Sequence, residues 1–273
     1  MTWNFLANLI GSGSLNSTVK GIALALMVVA ICIWVMEFSG HTISRHGLVS
    51  NNVVWNARSI ALVAVSAAIF IAGRPLQFQF IPGIGGFNPS LALAPVLVSL
   101  FGLPGAVGVT FSMPIGDAVS GALTVGSVAG CLGMTFITWF TYKLCFDASL
   151  RSVRGWIGLY AGGVIIGPLL HAITVPGWLD FVHLVPPAVA WGAVAPAIVL
   201  NQIIVPAVIA PILLIALFPP VRQWGLYWKD AVVARQGQQP GSVRGRRAAT
   251  LSAGPLPDPL PPAAPDMQLP DAQ

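Results

Sequence analysis

The sequence predicts an all-α, polytopic integral membrane protein, and three observations carry that prediction. Of 273 residues, 56% are hydrophobic and only 8% are charged, against about 25% charged in an ordinary soluble domain. Mean hydropathy is +0.82, and 8 acidic with 13 basic side chains could not cover the surface of a soluble globule. The 29 glycines and 23 prolines lie mostly inside or between apolar runs, as in membrane helices that contain breaks.

Crossing about 30 Å of hydrocarbon at about 1.5 Å per residue takes roughly 17 to 25 apolar residues, with shorter segments tolerated at thinned or buried sites. Gly21 to Met36 is the first candidate. The preceding stretch, Met1 to Thr18, has neither a basic region nor a small-residue cleavage site, so this helix is expected to be retained. Ile60 to Gly73 is the second candidate. Leu91 to Ile115 is interrupted by Gly102, Pro104 and Gly105, which leave two pieces each short for a span. Ala122 to Tyr142, Trp156 to Ile173 and Val189 to Phe218 complete the set.

Charge resolves the interrupted segment. Bases gather at Arg45 and Arg58, at Lys143, Arg151 and Arg154, and from Arg222 and Lys229 into the tail at Arg235, Arg244, Arg246 and Arg247. A single crossing by Leu91 to Ile115 would split these clusters between two sides. Two short crossings, or a re-entrant hairpin of the same parity, collect them on one side, the cytoplasmic one that lysine and arginine favour. Seven spans follow, in a cell's inner membrane, with the amino terminus outside and the carboxyl tail in the cytoplasm. Trp139, Tyr142, Trp224, Tyr227 and Trp228 lie beside the inner clusters, where amphipathic rings prefer the interface. From about Gln236 the chain is polar and proline-rich (GPLPDPLPPAAPD), and a disordered tail is expected there.

The chain lacks G-x-x-x-x-G-K-[ST], H-E-x-x-H, G-x-S-x-G and C-x-x-C. It therefore has no phosphate cradle for hydrolysing ATP, and catalytic residues, a metal and a cofactor are not expected. Cys32, Cys131 and Cys145 have no paired spacing and read as small buried hydrophobes. The spans show no evident pairs of intramembrane acid and base of the kind that proton-coupled carriers use. An external energy source is the corollary if this protein pumps anything.

Three regions are candidates for function. Ala57, Ala61, Ala64, Ala68 and Ala72 recur at steps of four, three, four and four, along one helical face. Small side chains let two membrane helices approach closely, either within the protein or against a partner. The outer loop RPLQFQFIPGIGGFNPS then carries Arg74, Gln77, Gln79, Phe87 and Asn88, mixing aromatic faces with amides as small-molecule sites do. It reads equally as a plain connector shaped by glycine and proline. Further outer-face candidates are Asp117, which could instead cap the next helix, together with His171, Trp178 and Trp191. Asn201, deep in the last apolar run, lines a pocket or bonds another helix.

The segment Ile60 to Lys143, with ARSIALVAVSAAIFIA, then IPGIGGFNPSLALAPVLVSLFGLPGAVG, the IGD turn and LTVGSVAGCLG, resembles the S component of energy-coupling factor (ECF) transporters. The resemblance implies a six-helix substrate-binding core over residues 57–230. Residues 1–56 add an amino-terminal transmembrane helix and a cytoplasmic loop, and residues 231–273 form the tail. It implies high-affinity capture of a vitamin or related micronutrient near the outer face. Toppling and inward release would be driven by a coupling membrane protein and ABC ATPases. The small-residue face at Ala57, Ala61, Ala64 and Ala68 would be the docking surface. Nickel and cobalt members of the family use an amino-terminal histidine segment, whereas this chain begins MTWNF, which disfavours metal import. The competing functional expectations are a structural membrane subunit without transport activity and an autonomous secondary carrier.

Overall fold

Among the described residues the apolar segments are largely helical, and capping side chains set several of the helix ends. A computed structural model describes residues 14–238 other than 45, 46, 52, 77, 82–84, 120 and 122. The side chains of 14–15, 76, 78–81, 85–87 and 234–238 are also outside the description. Helix α1 spans Ser14–Phe38, and a short antiparallel hairpin follows, β1 (His41–Ser44) with β2 (Gly47–Ser50). Helix α2, Ala57–Gly73, starts where the Asn56 side chain accepts a hydrogen bond from the Ser59 amide. Strands β3 (Phe78–Ile81) and β4 (Gly85–Phe87) pair antiparallel before a 3-10 turn at Pro89–Ala92.

The interrupted segment is a helical hairpin. Helix α3 covers Leu93–Phe101 and α4 covers Leu103–Val119, joined by Gly102 at φ +66°. That left-handed turn suits glycine, and Gly105 then packs on the α3 backbone, where a Cβ would lie 2.6 Å from the Leu97 carbonyl oxygen. Helix α5, Val125–Leu144, opens with a capping box formed by Thr124 and Ser127. Helix α6 covers Val153–Phe181, α7 covers Pro187–Gln223, and α8 covers Trp228–Gln238. Among the described residues, four helices, Asn16–Phe38, Val125–Leu144, α6 and α7, are long and apolar enough to cross a membrane. Helices α2 to α4 are shorter and pack among them.

Successive rods run in opposite directions between two ends of the bundle. At one end Lys20 meets Asp180, Gly73 meets Ser90, and Arg74 meets Asp117. At the other, Gly102 abuts Trp228, Gly155 abuts the Asp147 backbone, and Arg58 donates to the Gly225 carbonyl. Asn88 and Trp228 therefore lie at opposite ends. The main core, with Phe70, Leu100, Val109, Met134 and Leu214 fully buried, fills the space among α2 to α7. Helix α1 packs on α6 and α5, and its Trp34 indole donates to the Thr135 hydroxyl at 2.8 Å.

Helices α6 and α7 are not uniformly α-helical. Leu159–Ile166, Ala190–Val194 and Leu200–Ile204 are π-helical. Each is followed at the second residue of the next α-helical stretch by a proline: Pro168, Pro196 or Pro206. Proline lacks an amide hydrogen and crowds the carbonyl four residues back. A wider turn just before it relieves that clash and keeps the rod continuous. At Pro211 a side chain intervenes instead. The Tyr160 hydroxyl donates at 2.7 Å to the carbonyl of Ala207, the group that Pro211 leaves without its usual helical donor.

The described compact units divide between Ala231 and Val232. The tail from residue 239 onward, expected to be disordered, is outside the described residues.

Candidate functional site

The alanine stripe lies along one face of α2, and the other described candidate residues lie toward the Arg74 end of the bundle or inside it. On α2, Ser66, Phe70 and Gly73 are buried, toward α4 and the Pro89–Ala92 turn. Gly108 allows a close approach there, for a Cβ on it would run into the Val63 carbonyl and lie 2.8 Å from the Ser66 Cβ. The opposite face is not covered by the described helices: Ala57, Ala61, Ala64, Ala68 and Ala72 are all exposed. Ile60, Val65 and Ile69 beside them are exposed as well, and α1 leaves the stripe uncovered.

At the Arg74 end, the sequence-predicted residues meet in pairs. Arg74 Nη2 lies 2.6 Å from Asp117 Oδ1, and its Nη1 donates to the Met113 carbonyl at 3.2 Å. Asp117 does not cap α5, as one expectation had it. It sits in the last turn of α4, which runs past Ile115 to Val119, and Thr124 is the cap. The Asn201 side-chain oxygen accepts from the Asn88 amide at 3.1 Å, while its amino group donates to the Ala197 carbonyl. Asn88 turns its own oxygen to the Ser90 amide and hydroxyl, capping the 3-10 turn. Asn201 thus ties the chain at Asn88 to a π-helical part of α7.

Trp191 donates its indole hydrogen to Asp180 Oδ2 at 3.0 Å, and Asp180 Oδ1 is 2.9 Å from Lys20 Nζ. The Trp178 indole donates to the Val125 carbonyl at the start of α5. His171 was expected as an outer-face candidate, but α6 continues to Phe181 and carries it inside the bundle. There it is 2% exposed, its ring laid on Gly133. Gln77 lies outside the described residues; Gln79 and Phe87 fall in β3 and β4, with side chains outside the description.

Acid and base do pair across helices just beyond the predicted apolar spans. Besides Lys20–Asp180 and Arg74–Asp117, Glu37 at the end of α1 pairs with Lys143 at 2.9 Å. Glu37 is fully buried, accepting also from Trp139 and Thr42 and from Asn51. All three pairs lie toward the ends of the rods. Sequence inspection missed Glu37 because its partner is remote in the chain, the sole signal being an acid at the end of an apolar run. Tyr160 was missed as well, and its signal was the proline in the facing helix.

Charge is distributed unevenly between the two ends. Lys20 and Arg74 at one end each face a carboxylate. Arg58, Lys143, Arg151, Arg154, Arg222 and Lys229 all lie at the other. There, burial lowers the Lys229 ammonium pKa despite the neighbouring Asp147. Burial also pushes the Cys145 thiol up, which disfavours the reactive thiolate.

The chain matches no protein-family model, and comparisons with characterised proteins and with solved structures return no match.

Proposed function

We propose that this chain is the substrate-capturing membrane subunit of an ECF-type importer for a vitamin or related micronutrient, acting with a coupling membrane protein and ABC ATPases. The observation that carries the proposal is the exposed alanine face of α2. Five small side chains on one helix, turned away from the protein's own core, make a surface on which another helix could lie at close range. The basic end of the bundle faces the cytoplasm in this account, so the loop after α2 opens outside. Its ends are held by Arg74–Asp117 and Asn88–Asn201, and Gln77, Gln79, Phe87, Trp178 and Trp191 are the remaining candidates for contacting substrate. The six-helix core is α2 to α7, with α1 an addition.

The test is mass spectrometry of any small molecule released on denaturing the purified protein, together with Ala64→Trp and Ala68→Trp. The proposal expects a stoichiometric ligand that both variants retain while losing association with the coupling protein and uptake. Normal uptake by both variants contradicts it.

One observation favours the structural-subunit alternative. Arg74, Asp117, Asn201 and Trp191 are engaged with other groups of this chain. A protein purified without ligand, yet bound stoichiometrically to another membrane complex, would decide for that reading. Uptake in cells lacking any coupling ATPase would instead identify an autonomous carrier.

A further inference from the structure

A cavity of about 300 Å³ opens at the basic end of the bundle, lined by Arg151, Phe218, Pro219, Arg222 and Gln223. Its two guanidinium groups come from separate elements. Arg151 lies in the turn between α5 and α6, and Arg222 lies in the last turn of α7. Among the described residues the lining holds no carboxylate. Arg222 also reaches Asp230 at 3.0 Å across a largely exposed pair, while Arg151 makes no ion pair among the described residues. Arginine presents a planar fork of donors suited to phosphate oxygens.

The surroundings place the cavity at headgroup depth. Trp224, 71% exposed, and the exposed ring of Trp156 stand at the same end of the bundle, where indoles mark the membrane interface. Along α7 toward the middle of the bundle, Val208, Ile212 and Ile215 are exposed, forming an apolar wall beneath the cavity. The Phe218 ring lies 6.0 Å below the Arg222 guanidinium and joins the two surfaces.

We propose that this cavity holds the phosphate of an anionic membrane phospholipid, with Arg151 and Arg222 as its two cationic contacts and the acyl chains lying along the exposed face of α7. Basic pockets between membrane helices on the cytoplasmic side recognise such headgroups. The proposal needs the protein to be membrane-embedded but does not depend on transport.

The test uses the full chain in nanodiscs of phosphatidylcholine containing phosphatidylglycerol, with retained lipid read by native mass spectrometry. Wild type retains phosphatidylglycerol over phosphatidylcholine. Arg151→Gln and Arg222→Gln each weaken retention by roughly five- to tenfold, and the double variant removes the preference. Arg154→Gln, a neighbouring base outside the lining, keeps it. Equal retention of both lipids by wild type, or an undiminished preference in the double variant, overturns the proposal. So does competition by millimolar inorganic phosphate, which would identify a free-anion site. The comparison of lipids on wild type stands even if a variant fails to fold.

Discussion

Replacing Tyr160 by phenylalanine isolates one hydrogen bond in the bundle. The hydroxyl donates at 2.7 Å to the Ala207 carbonyl, which has no i+4 amide donor because residue 211 is proline. Phenylalanine keeps the ring in the α6–α7 contact and removes only the donor. Leaving a carbonyl unsatisfied in a buried site costs about 1 to 3 kcal/mol, and hydrogen bonds between membrane helices measure somewhat lower, about 0.6 to 2 kcal/mol. A loss of about 1 to 2 kcal/mol is therefore expected. The assay is reversible unfolding in mixed detergent and dodecyl sulfate micelles, followed by far-UV circular dichroism. Pro211→Ala supplies the missing amide, so Tyr160→Phe in that background should cost less than half as much. Equal costs of Tyr160→Phe in both backgrounds would refute the assignment of Tyr160 as the substitute donor.

Three further predictions concern packing, the outer-loop anchor and the basic end. Gly108→Ala forces a methyl against the Val63 carbonyl and Ser66 and should cost about 1 to 3 kcal/mol. Gly21→Ala, with nothing within 4 Å, should not destabilise, and thermal unfolding in detergent compares the two. Arg74→Gln should loosen the loop after α2 and increase proteolysis between residues 74 and 90. The charge swap Arg74→Asp with Asp117→Arg should restore much of the protection if the 2.6 Å pair is the anchor. Asp147 is partly desolvated, which alone would raise its pKa, but hydrogen bonds from Ser149 and Ser152 and the nearby Lys229 prevail and hold the carboxyl below 3.8. A depressed carboxylate contributes stability above its unfolded pKa and loses it as pH falls through the folded value. Asp147→Asn should thus flatten the decline in melting temperature on the acid side of pH 3.8, and an unchanged decline counts against this contribution.

The long helices were legible because length and apolarity are local properties. The hairpin at Gly102 was legible for a different reason: only a fold-back keeps Arg58, Lys143 and Lys229 at one end, and α3 and α4 do fold back there. The π-helical turns were not, since an apolar run such as Val189 to Phe218 reads alike at 3.6 or wider spacing, with its prolines as the sole trace. The strands of β1 and β2 were too short to show alternation. Reading Gly21 to Met36 as the first span stopped one residue before Glu37, whose importance comes from Lys143 and Trp139 on another helix. In the candidate site, the residue types at Arg74, Asp117, Asn88 and Asn201 were visible. Their pairings were not, because each joins elements distant in sequence. The alanine spacing revealed a face, and the fold supplied its direction.

Site-specific photo-crosslinking from α2 in native membranes tests the account most directly. A photoreactive side chain at Ala64 or Ala68 should capture a coupling membrane protein that co-purifies with ABC ATPases. The same probe at the exposed Val208 of α7 should not. Capture of that protein from Val208 as efficiently as from Ala64, or of no membrane protein from the alanine face, would contradict docking through α2.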